Sequence, residues 1–458
     1  MQNTEQYLLS QQDRYQTTLF EFLRIPSVSA DPKYKKDIAD AAAWLEKLLA
    51  NCGFQAETIV TKNNPLVYAE TPPVPGGKTI LVYGHYDVQP PDPLDLWKTP
   101  PFEPTIRDGN VYARGATDDK GQFLTHLFAA EAYLKNAKPP KVQIKFLFEG
   151  EEESISSVSL NEYLESEEGR KKLACDCVVV SDSSMFGEHQ PAITYGLRGI
   201  IAFELFITGP NRDLHSGDFG GIVFNPGIAL AKMLAGLMDE NGKILVPHIY
   251  DDVCEITDLE KEEFKKLPFS EQEFFHKIGL SEGCGEKGFT TLERRWCRPT
   301  FDINGITCGY QGEGGKTIIP SQASAKFTFR LVPNQNPEKV AENVKRRLME
   351  LLPLGVQMRL KYEHGAPGMR SPLDSPYIQN ATAALQEVFG MPPVYARQGG
   401  SIPIVAELRQ RLDAEVLLLG WGQDDDNLHA PNEKFSLQNF KRGMLASARL
   451  MHLLGEGQ

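Results

Sequence analysis

Six side chains that can bind metals either follow segments typical of buried strands or lie in loops leading from them. They are His85, Asp118, Glu152, Glu153, Asp182 and His429. Because ligands of an open α/β sheet bind at the carboxyl ends of its strands, segments distant in sequence would bring these side chains to one edge. Two imidazoles and several carboxylates suit zinc, Mn²⁺ or Co²⁺ better than calcium or magnesium. The pattern therefore predicts a site for divalent transition metals.

The elements that must position these side chains can be read from the apolar pattern. Continuous apolar runs, typical of strands covered on both faces, occupy residues 78–82, 142–148, 177–180 and 416–419. Between them, apolar residues recur at helical spacing over 38–51 and 121–134. This alternation of helices and strands predicts a layered α/β domain.

The pattern changes after residue 197. Strand-like segments at 199–208, 301–307, 324–332 and 356–362 enclose helical segments at 226–238 and 337–352. The order β-α-β-β-α-β is that of a ferredoxin-like split unit. The α/β pattern then resumes with a helix at 376–388, a strand at 415–419 and a helix at 437–454.

The predicted fold is therefore a mixed-sheet α/β domain, formed by residues 1–197 and 367–458, with a ferredoxin-like α+β domain inserted at 198–366. A charged and aromatic segment, 241–299, is expected to decorate the inserted domain.

Composition excludes several functional classes. The 458 residues carry a net charge of -13, which argues against general binding of nucleic acid or anionic membranes. Seven cysteines, an odd number, fit free thiols in a reducing compartment better than a disulfide framework. The polar N-terminus lacks a signal-peptide pattern, and no window has the ~18 apolar residues of a membrane span. A cytoplasmic protein is expected.

Ten short motifs occur in a recognisable order along the chain. They are Gly-His85-Tyr-Asp87-Val, Arg114-Gly-Ala-Thr-Asp118-Asp119-Lys-Gly, Glu149-Gly-Glu-Glu152-Glu153-Ser, Ser181-Asp182, Leu197-Arg-Gly, His215-Ser-Gly, Lys316-Thr317-Ile-Ile-Pro, Arg330-Leu-Val-Pro, Gly399-Gly400-Ser401-Ile-Pro and His429-Ala-Pro-Asn-Glu433. In these motifs the chain resembles the co-catalytic two-metal exopeptidases and amidohydrolases, which include carnosine dipeptidases, glutamate carboxypeptidase and aminoacylase. The cytosolic dipeptidase branch is the most similar.

The resemblance implies a pair of divalent metal ions in each subunit, with zinc, or alternatively manganese or cobalt, as the metal. It assigns His85, Asp118 and Asp182 to one ion. The second ion would take Glu153 and His429 and share Asp118 as a bridge. A single carboxylate has two oxygens, which allows it to hold two cations of a two-metal hydrolase. Asp87 would hold the second N–H of the His85 ring.

Further catalytic roles follow from the same resemblance. Glu152 would be the general base that takes a proton from the attacking water and passes it to the leaving amine. The run Glu151-Glu152-Glu153 offers two registers, and alignment on Glu149-Gly150 gives the base as Glu152 and the ligand as Glu153. The resemblance also implies a cis peptide bond between Asp118 and Asp119.

The inserted domain would contribute substrate-binding residues and serve as a lid and dimerisation domain. His215 would reach the active site of the partner subunit of a homodimer and stabilise the tetrahedral oxyanion. Arg330 would clamp the carboxylate of the substrate, with Thr317 and Ser401 as hydrogen-bond donors. Gly400 would let the substrate approach the backbone.

The function expected from these residues is metal-dependent hydrolysis of short peptides, most of all dipeptides. An N-acyl- or N-succinyl-amino-acid amidohydrolase would use the same site and differ in its acyl pocket. A non-catalytic scaffold of the same fold is the third alternative. Taken singly, each motif has an ordinary explanation, since Asp118-Asp119 could begin a helix and His429 could be a surface residue.

Overall fold

The computed structural model describes residues 1–135, 141–155 and 157–456. The chain divides into two compact units. The first comprises Met1–Tyr195, Ser371–Ala396 and Glu407–Gln458, and the second comprises Gly196–Arg370 and Arg397–Ala406. Residues 397–406 thus belong to the second unit, whereas the sequence analysis assigned them to the last part of the larger domain.

A mixed sheet forms the centre of the first unit. Its strands run in the order Gln55–Ile59, Leu66–Glu70, Val142–Glu149, Lys78–His85, Cys177–Val180, Glu415–Leu418 and Ala192–Leu197, and Val394–Gln398 pairs with the last of these. The four strands from Val142–Glu149 to Glu415–Leu418 are parallel, and the strands on either side of them are antiparallel. The predicted mixed α/β fold is confirmed, and the parallel strands bring their carboxyl ends to one edge.

Helices surround this sheet. They are Gln2–Ser10, Gln12–Leu23, Lys35–Cys52, Lys120–Lys135, Glu152–Ile155, Val158–Glu165, Glu167–Leu173, Pro376–Phe389, Pro403–Leu412 and Leu437–Glu456, with 3₁₀ turns at Pro32–Tyr34 and Leu94–Leu96. Lys120–Lys135 is buried from its first residue to Tyr133, although it includes polar residues such as Lys120, Gln122 and His126. Gly53, at a φ of 103°, ends helix Lys35–Cys52 in the left-handed conformation that glycine adopts without strain.

A small antiparallel sheet completes the first unit and connects distant parts of the chain. It consists of Thr105–Arg107, Asn110–Tyr112 and Lys434–Ser436. The central strand therefore pairs with a strand from the C-terminal part of the sequence. This pairing fixes the loops on either side, which carry Asp118 and His429.

The second unit contains a four-stranded antiparallel sheet. Its order is Thr300–Cys308, Gln322–Leu331, Gly199–Thr208 and Gln357–Ala366. Helices Pro226–Ala235 and Pro337–Leu351 lie between its strands in sequence, which gives the predicted ferredoxin-like order. Along Gly199–Thr208 every second side chain from Ile201 to Ile207 enters an apolar core shared with both helices.

Two short strands, Leu214–His215 and Ile318–Ile319, pair with each other, and Met369–Arg370 pairs with Ala192–Leu197 at the edge of the large mixed sheet. Further helices of the second unit are Ser216–Phe219, Asp258–Lys266, Glu271–Lys277 and Thr291–Cys297. The last three helices lie within segment 241–299. Two of them begin with capping boxes, at Thr257 and Thr290, in which side chain and backbone bond reciprocally. In the part of the chain that the structure describes, no helix combines the length and apolarity needed to cross a membrane.

Candidate metal centre and substrate-binding residues

The strand ends of the central sheet position the predicted ligands of the first unit. His85 is the last residue of its strand and lies opposite Glu149, the last residue of the adjacent parallel strand. Asp182 follows the next parallel strand, Cys177–Val180. Asp118 precedes the buried helix Lys120–Lys135, and its peptide bond to the following residue is cis.

Five side chains form two overlapping groups of metal-ligand type. His85, Asp118 and Asp182 form one group, and Asp118, Glu153 and His429 form the other, with the ligand atoms of each group within 4.8 Å of one another. Asp118 Oδ1 lies 3.0 Å from His85 Nε2, and its Oδ2 lies 3.0 Å from His429 Nε2. The distance from His85 Nε2 to Asp182 Oδ2 is 4.0 Å, and that from His429 Nε2 to Glu153 Oε1 is 3.4 Å. One carboxylate therefore lies between two imidazoles.

The chemistry of His85 fits a bound metal ion. Its Nδ1 lies 3.1 Å from the backbone carbonyl oxygen of Asp87. A carbonyl can only accept, so the proton of this pair belongs to Nδ1. The buried Nε2 lies 3.0 Å from Asp118 Oδ1. Burial acts to lower the pKa of His85, but Asp118 and Asp87 raise it well above the ordinary value of a histidine, so a metal ion that binds at Nε2 would displace a proton. A ring oriented in this way is suited to bind a metal ion through Nε2.

Asp87 approaches the His85 ring with two of its groups. Its carboxylate Oδ1 lies 3.5 Å from Nδ1, and its backbone carbonyl oxygen lies closer, at 3.1 Å. The other carboxylate oxygen, Oδ2, accepts from the Ser29 hydroxyl, at 2.6 Å, and from the backbone N–H of Glu153, at 2.9 Å. Asp87 therefore connects the loop of one predicted ligand to the backbone of another.

The three consecutive glutamates have different environments. Glu151 is buried, and it accepts from the Asn64 backbone N–H at 2.8 Å and from the Ser159 hydroxyl and backbone N–H at 2.6 and 2.9 Å. Its carboxylate is thus occupied in holding two loops. Glu153 accepts at Oε2 from Gln89, at 2.7 Å, and presents Oε1 toward the metal-ligand group.

Glu152 is half-buried, on the first turn of helix Glu152–Ile155. Burial raises its pKa well above the ordinary value of a glutamate; His85 opposes this shift, and the carboxylates of Asp182 and Glu153 add to it. At Asp118 burial also acts to raise the pKa, but the imidazoles of His429 and His85 hold it well below the ordinary value. Adjacent carboxyl groups therefore have very different proton affinities.

The loop that carries His429 has an unusual backbone. Asn427, His429 and Asn432 all have positive φ angles, of 55°, 59° and 63°. Left-handed conformations are uncommon for residues other than glycine, and they cluster where a site over-determines the backbone. The side chain of His429 remains 56% exposed.

Glu433 holds the loop of Asp118 and was not among the predicted site residues. Its fully buried carboxylate accepts from Arg114 Nη1 at 2.7 Å and from the backbone N–H of Gly115 at 2.9 Å. The other oxygen accepts from the backbone N–H groups of Thr117 and Asp118, at 3.0 and 3.1 Å. Because Glu433 belongs to the His429 loop, it connects that loop to the loop that carries Asp118.

The remaining predicted residues lie in the second unit and form two groups. His215 pairs with Ile318 in a two-residue ladder, and its exposed ring accepts at Nδ1 from the Gly217 N–H, at 3.0 Å. Thr317 is next to it, since its carbonyl oxygen accepts from the Ser216 N–H at 3.1 Å.

The second group surrounds Arg330. Its Nη1 donates to the Ser401 hydroxyl at 3.0 Å, and burial lowers the pKa of its guanidinium. Arg198, which the sequence analysis quoted only as part of a motif, donates from Nε to the Gly399 carbonyl at 2.8 Å. Burial, and then the charge of Arg330, lowers the pKa of Arg198 to about 10. Gly400 is exposed, and among the described residues a Cβ there would meet only a side-chain nitrogen, at 4.0 Å.

Replacing Glu433 with glutamine should weaken metal binding by about 10- to 100-fold, the usual effect of losing a partner that orients a ligand. Glutamine keeps one accepting oxygen, but its NH2 group cannot accept from an N–H donor, so the Asp118 loop loses half of its anchor. Metal affinity would be measured by competition with a chelator. Asp425→Asn, which removes an exposed partner of Lys434 in the same loop, is the control. Equal affinities for both variants would contradict the role of Glu433.

Comparison with known proteins agrees with this geometry. Residues 81–453 match Peptidase family M20/M25/M40. The Cys-Gly metallodipeptidase dug1 of Schizosaccharomyces pombe is 33% identical over 456 residues, with 96% of each chain covered. The Beta-Ala-His dipeptidase of Homo sapiens is 33% identical over 458 residues, covering 96% of this chain and 89% of the other.

A solved structure extends the similarity to the fold. The metallo-carboxypeptidase Sso-CP2 from Sulfolobus solfataricus superimposes with a TM-score of 0.86 at 33% identity, covering 96% of this chain and 99% of the other. The matched region contains both metal-ligand groups and the inserted sheet. The chain therefore belongs to Peptidase family M20/M25/M40 and is a metallopeptidase.

Proposed function

We propose that the protein is a dipeptidase that hydrolyses short peptides with free termini, with two zinc ions held by the two ligand groups. The observation that carries the proposal is the position of Asp118, whose two oxygens each lie 3.0 Å from a different imidazole. The two relatives described above match nearly the full length of this chain, and both are named as dipeptidases. Their names support dipeptides as the substrate class.

The donor set supports two zinc ions. Each group offers one imidazole and two carboxylates, which leaves room in the coordination shell for water and substrate. When bound, two such cations lower the pKa of a water molecule and polarise the substrate carbonyl. Mn²⁺ and Co²⁺ accept the same donors, so the supply of metal in the cell also decides which ion is native.

Glu152 is proposed as the general base. Glu151 is held by Asn64 and Ser159, and Glu153 is turned toward His429, so the geometry favours the register in which Glu152 is the base. A carboxylate with a raised pKa is a stronger base, and it can take a proton from the attacking water. It would then deliver the proton to the leaving amine.

The second unit is proposed to recognise the substrate. The guanidinium of Arg330 can bind a carboxylate with two parallel hydrogen bonds, and its contact with Ser401 orients it. Gly400 would let the peptide approach the backbone, and Thr317 would donate a hydrogen bond next to His215. Because Arg330 would bind the terminal carboxylate of the substrate, the site would favour short peptides over long chains.

His215 is proposed to stabilise the oxyanion in the partner subunit of a homodimer, with the second unit as lid and dimerisation domain. Its side chain is 62% exposed and therefore accessible to a second chain. The same unit exposes apolar side chains that a dimer could cover, including Phe224, 51% exposed, and Leu354, 87% exposed. Phe224 packs on Gly355, the residue that follows Leu354 in the chain.

Two alternatives differ from this proposal in specific ways. An N-acyl- or N-succinyl-amino-acid amidohydrolase would keep both metals and Arg330 but would need a pocket for the acyl group. A non-catalytic scaffold would lack the base or a ligand, whereas Glu152 and all five ligand side chains are present here. A cytoplasmic location is part of the proposal, supported by seven cysteines that are all free thiols.

The chelated protein should be inactive, and zinc, Mn²⁺ or Co²⁺ should restore cleavage of free dipeptides. The measurement is the release of amino acids from a panel of dipeptides, tripeptides and N-acyl or N-succinyl amino acids. Cleavage of the acylated compounds alone would assign the protein to the amidohydrolases. A metal-loaded protein that cleaves nothing in the panel would support the scaffold alternative.

Glu152→Gln should reduce kcat by about 100-fold or more, since general-base catalysis contributes on that order. The metal content should not change, because the variant retains every ligand. Metal analysis and steady-state kinetics of the same preparation would test both statements. Glu162→Gln, at an exposed position paired with Lys62, is the control and should keep full activity. Full turnover by the Glu152 variant would refute the assignment of the base.

Mixing His215→Ala subunits with Glu152→Gln subunits should restore activity that neither variant has alone. Each heterodimer would contain one active site with its own Glu152 and the partner's His215 intact. Amino-acid release would be measured on heterodimers purified with two different affinity tags. A mixture of His215→Ala with the double variant is the control and should stay inactive. Inactive heterodimers of verified composition would refute the role across subunits.

A further inference from the structure

A buried carboxylate from segment 241–299 lies between two arginines of the second unit. It belongs to Glu260 on helix Asp258–Lys266, and its side chain is only 4% exposed. Arg397 Nη2 contacts Glu260 Oε1 directly, and Arg370 Nη1 lies 3.4 Å from both oxygens. The side chain of Arg397 is also buried, so this ion pair is largely removed from water.

Glu260 is held in place by the start of its own helix. The backbone N–H and the hydroxyl of Thr257 both donate to Oε2, at 3.0 Å, and the Glu260 N–H donates back to that hydroxyl at 3.2 Å. One oxygen is therefore fixed by the capping box, and the other is directed at Arg397. Burial acts to raise the pKa of Glu260, but the charge of Arg397 and these hydrogen bonds lower it to about 2.

Arg397 begins the segment that carries the proposed substrate contacts. Two residues later, the Gly399 carbonyl accepts from Arg198, and the Ser401 hydroxyl then accepts from Arg330. The aliphatic part of Arg397 passes over Gly196, where a Cβ would lie 3.1 Å from its side-chain carbons. Segment 397–401 is thus held at both ends. Glu260 contacts its first residue, and Arg198 and Arg330 bind Gly399 and Ser401.

We propose that Glu260 is a positioning residue that sets the geometry of segment 397–401 and thereby the recognition of the substrate carboxylate. The inference rests on the proposed function of Arg330 and Ser401. Without the carboxylate of Glu260, Arg397 would lose its direct contact with helix Asp258–Lys266, and segment 397–401 would no longer be fixed at its first residue. Ser401 would then shift relative to Arg330. Segment 241–299 acquires a role in specificity through this one side chain.

The test is Glu260→Gln in the metal-loaded enzyme. Glutamine can still accept from Thr257, but it cannot neutralise Arg397. We expect KM for a free dipeptide to rise by about 10- to 100-fold, as misplaced substrate-binding groups commonly cause, with little change in kcat. The preference for the free dipeptide over the same dipeptide amide, measured as the ratio of kcat/KM values, should fall by a similar factor.

Two further variants make the result interpretable. Glu262→Gln, on the same helix but paired with Lys265 at the surface, should match the wild type. Arg397→Lys keeps the positive charge but removes the guanidinium group that contacts Glu260, and it should shift the same ratio in the same direction. If Glu260→Gln does not fold, this second variant carries the test. An unchanged acid-to-amide ratio in a folded variant would overturn the inference.

Binding without turnover separates this inference from the proposed function. In a Glu152→Gln background the dipeptide stays intact, and its Kd can be measured by calorimetry for the acid and for the amide. Weaker binding of the acid alone on adding Glu260→Gln supports the inference, even if the wild type cleaves no dipeptide. Equal losses for acid and amide would make Glu260 a structural residue only, and the inference would be wrong.

Discussion

The sharing of one carboxylate between two imidazoles is the interaction on which the rest of the first unit depends. Asp118 can face both His85 and His429 only if its loop is fixed from several directions. The buried carboxylate of Glu433 provides this support with four hydrogen bonds to the segment from Arg114 to Asp118. A backbone loop at the end of a strand would otherwise be among the more mobile parts of a domain.

The electrostatics of the centre favour cations strongly. Several carboxyl groups are concentrated in a region with little water, where each charged form is costly unless it is paired. Burial raises the pKa of Glu149 to about 8, although the Tyr83 hydroxyl donates to it at 2.7 Å. It also raises the pKa of Asp182, to about 6, with Asp118 adding to the shift. Metal ions would relieve this repulsion, so binding them and stabilising the first unit are the same process.

The sequence was most informative where local pattern and chemistry coincide. Parallel strands covered on both faces are apolar runs, and His85 and Asp182 follow such runs directly, so both the sheet and its ligand edge were predictable. Contacts between residues far apart in the sequence were not predictable, because the periodicity of apolar residues carries no information about them. Glu260 meets Arg397 more than a hundred residues later, and residues 397–406 belong to the second unit.

The contacts of Asp87 were predicted only in part, for a related reason. Spacing after His85 indicated that Asp87 is near the ring, but it could not distinguish its backbone carbonyl from its carboxylate. Similarly, the motif around His429 ended at Glu433, but nothing in the motif indicated which N–H groups donate hydrogen bonds to that glutamate. Residue types and order predicted which groups meet, whereas hydrogen-bond directions required the backbone.

The position of strand Glu415–Leu418 has a consequence for how the protein is made. This strand lies inside the central sheet, between Cys177–Val180 and Ala192–Leu197, yet it is synthesised after all four strands of the second unit's sheet. A nascent chain that has left the ribosome only as far as the second unit therefore exposes an unpaired edge next to Asp182. It also lacks His429 and Glu433. The sheet can close, and the second metal-ligand group can form, only after residues 415–433 have been synthesised, and until then the edge is open to pairing with other chains.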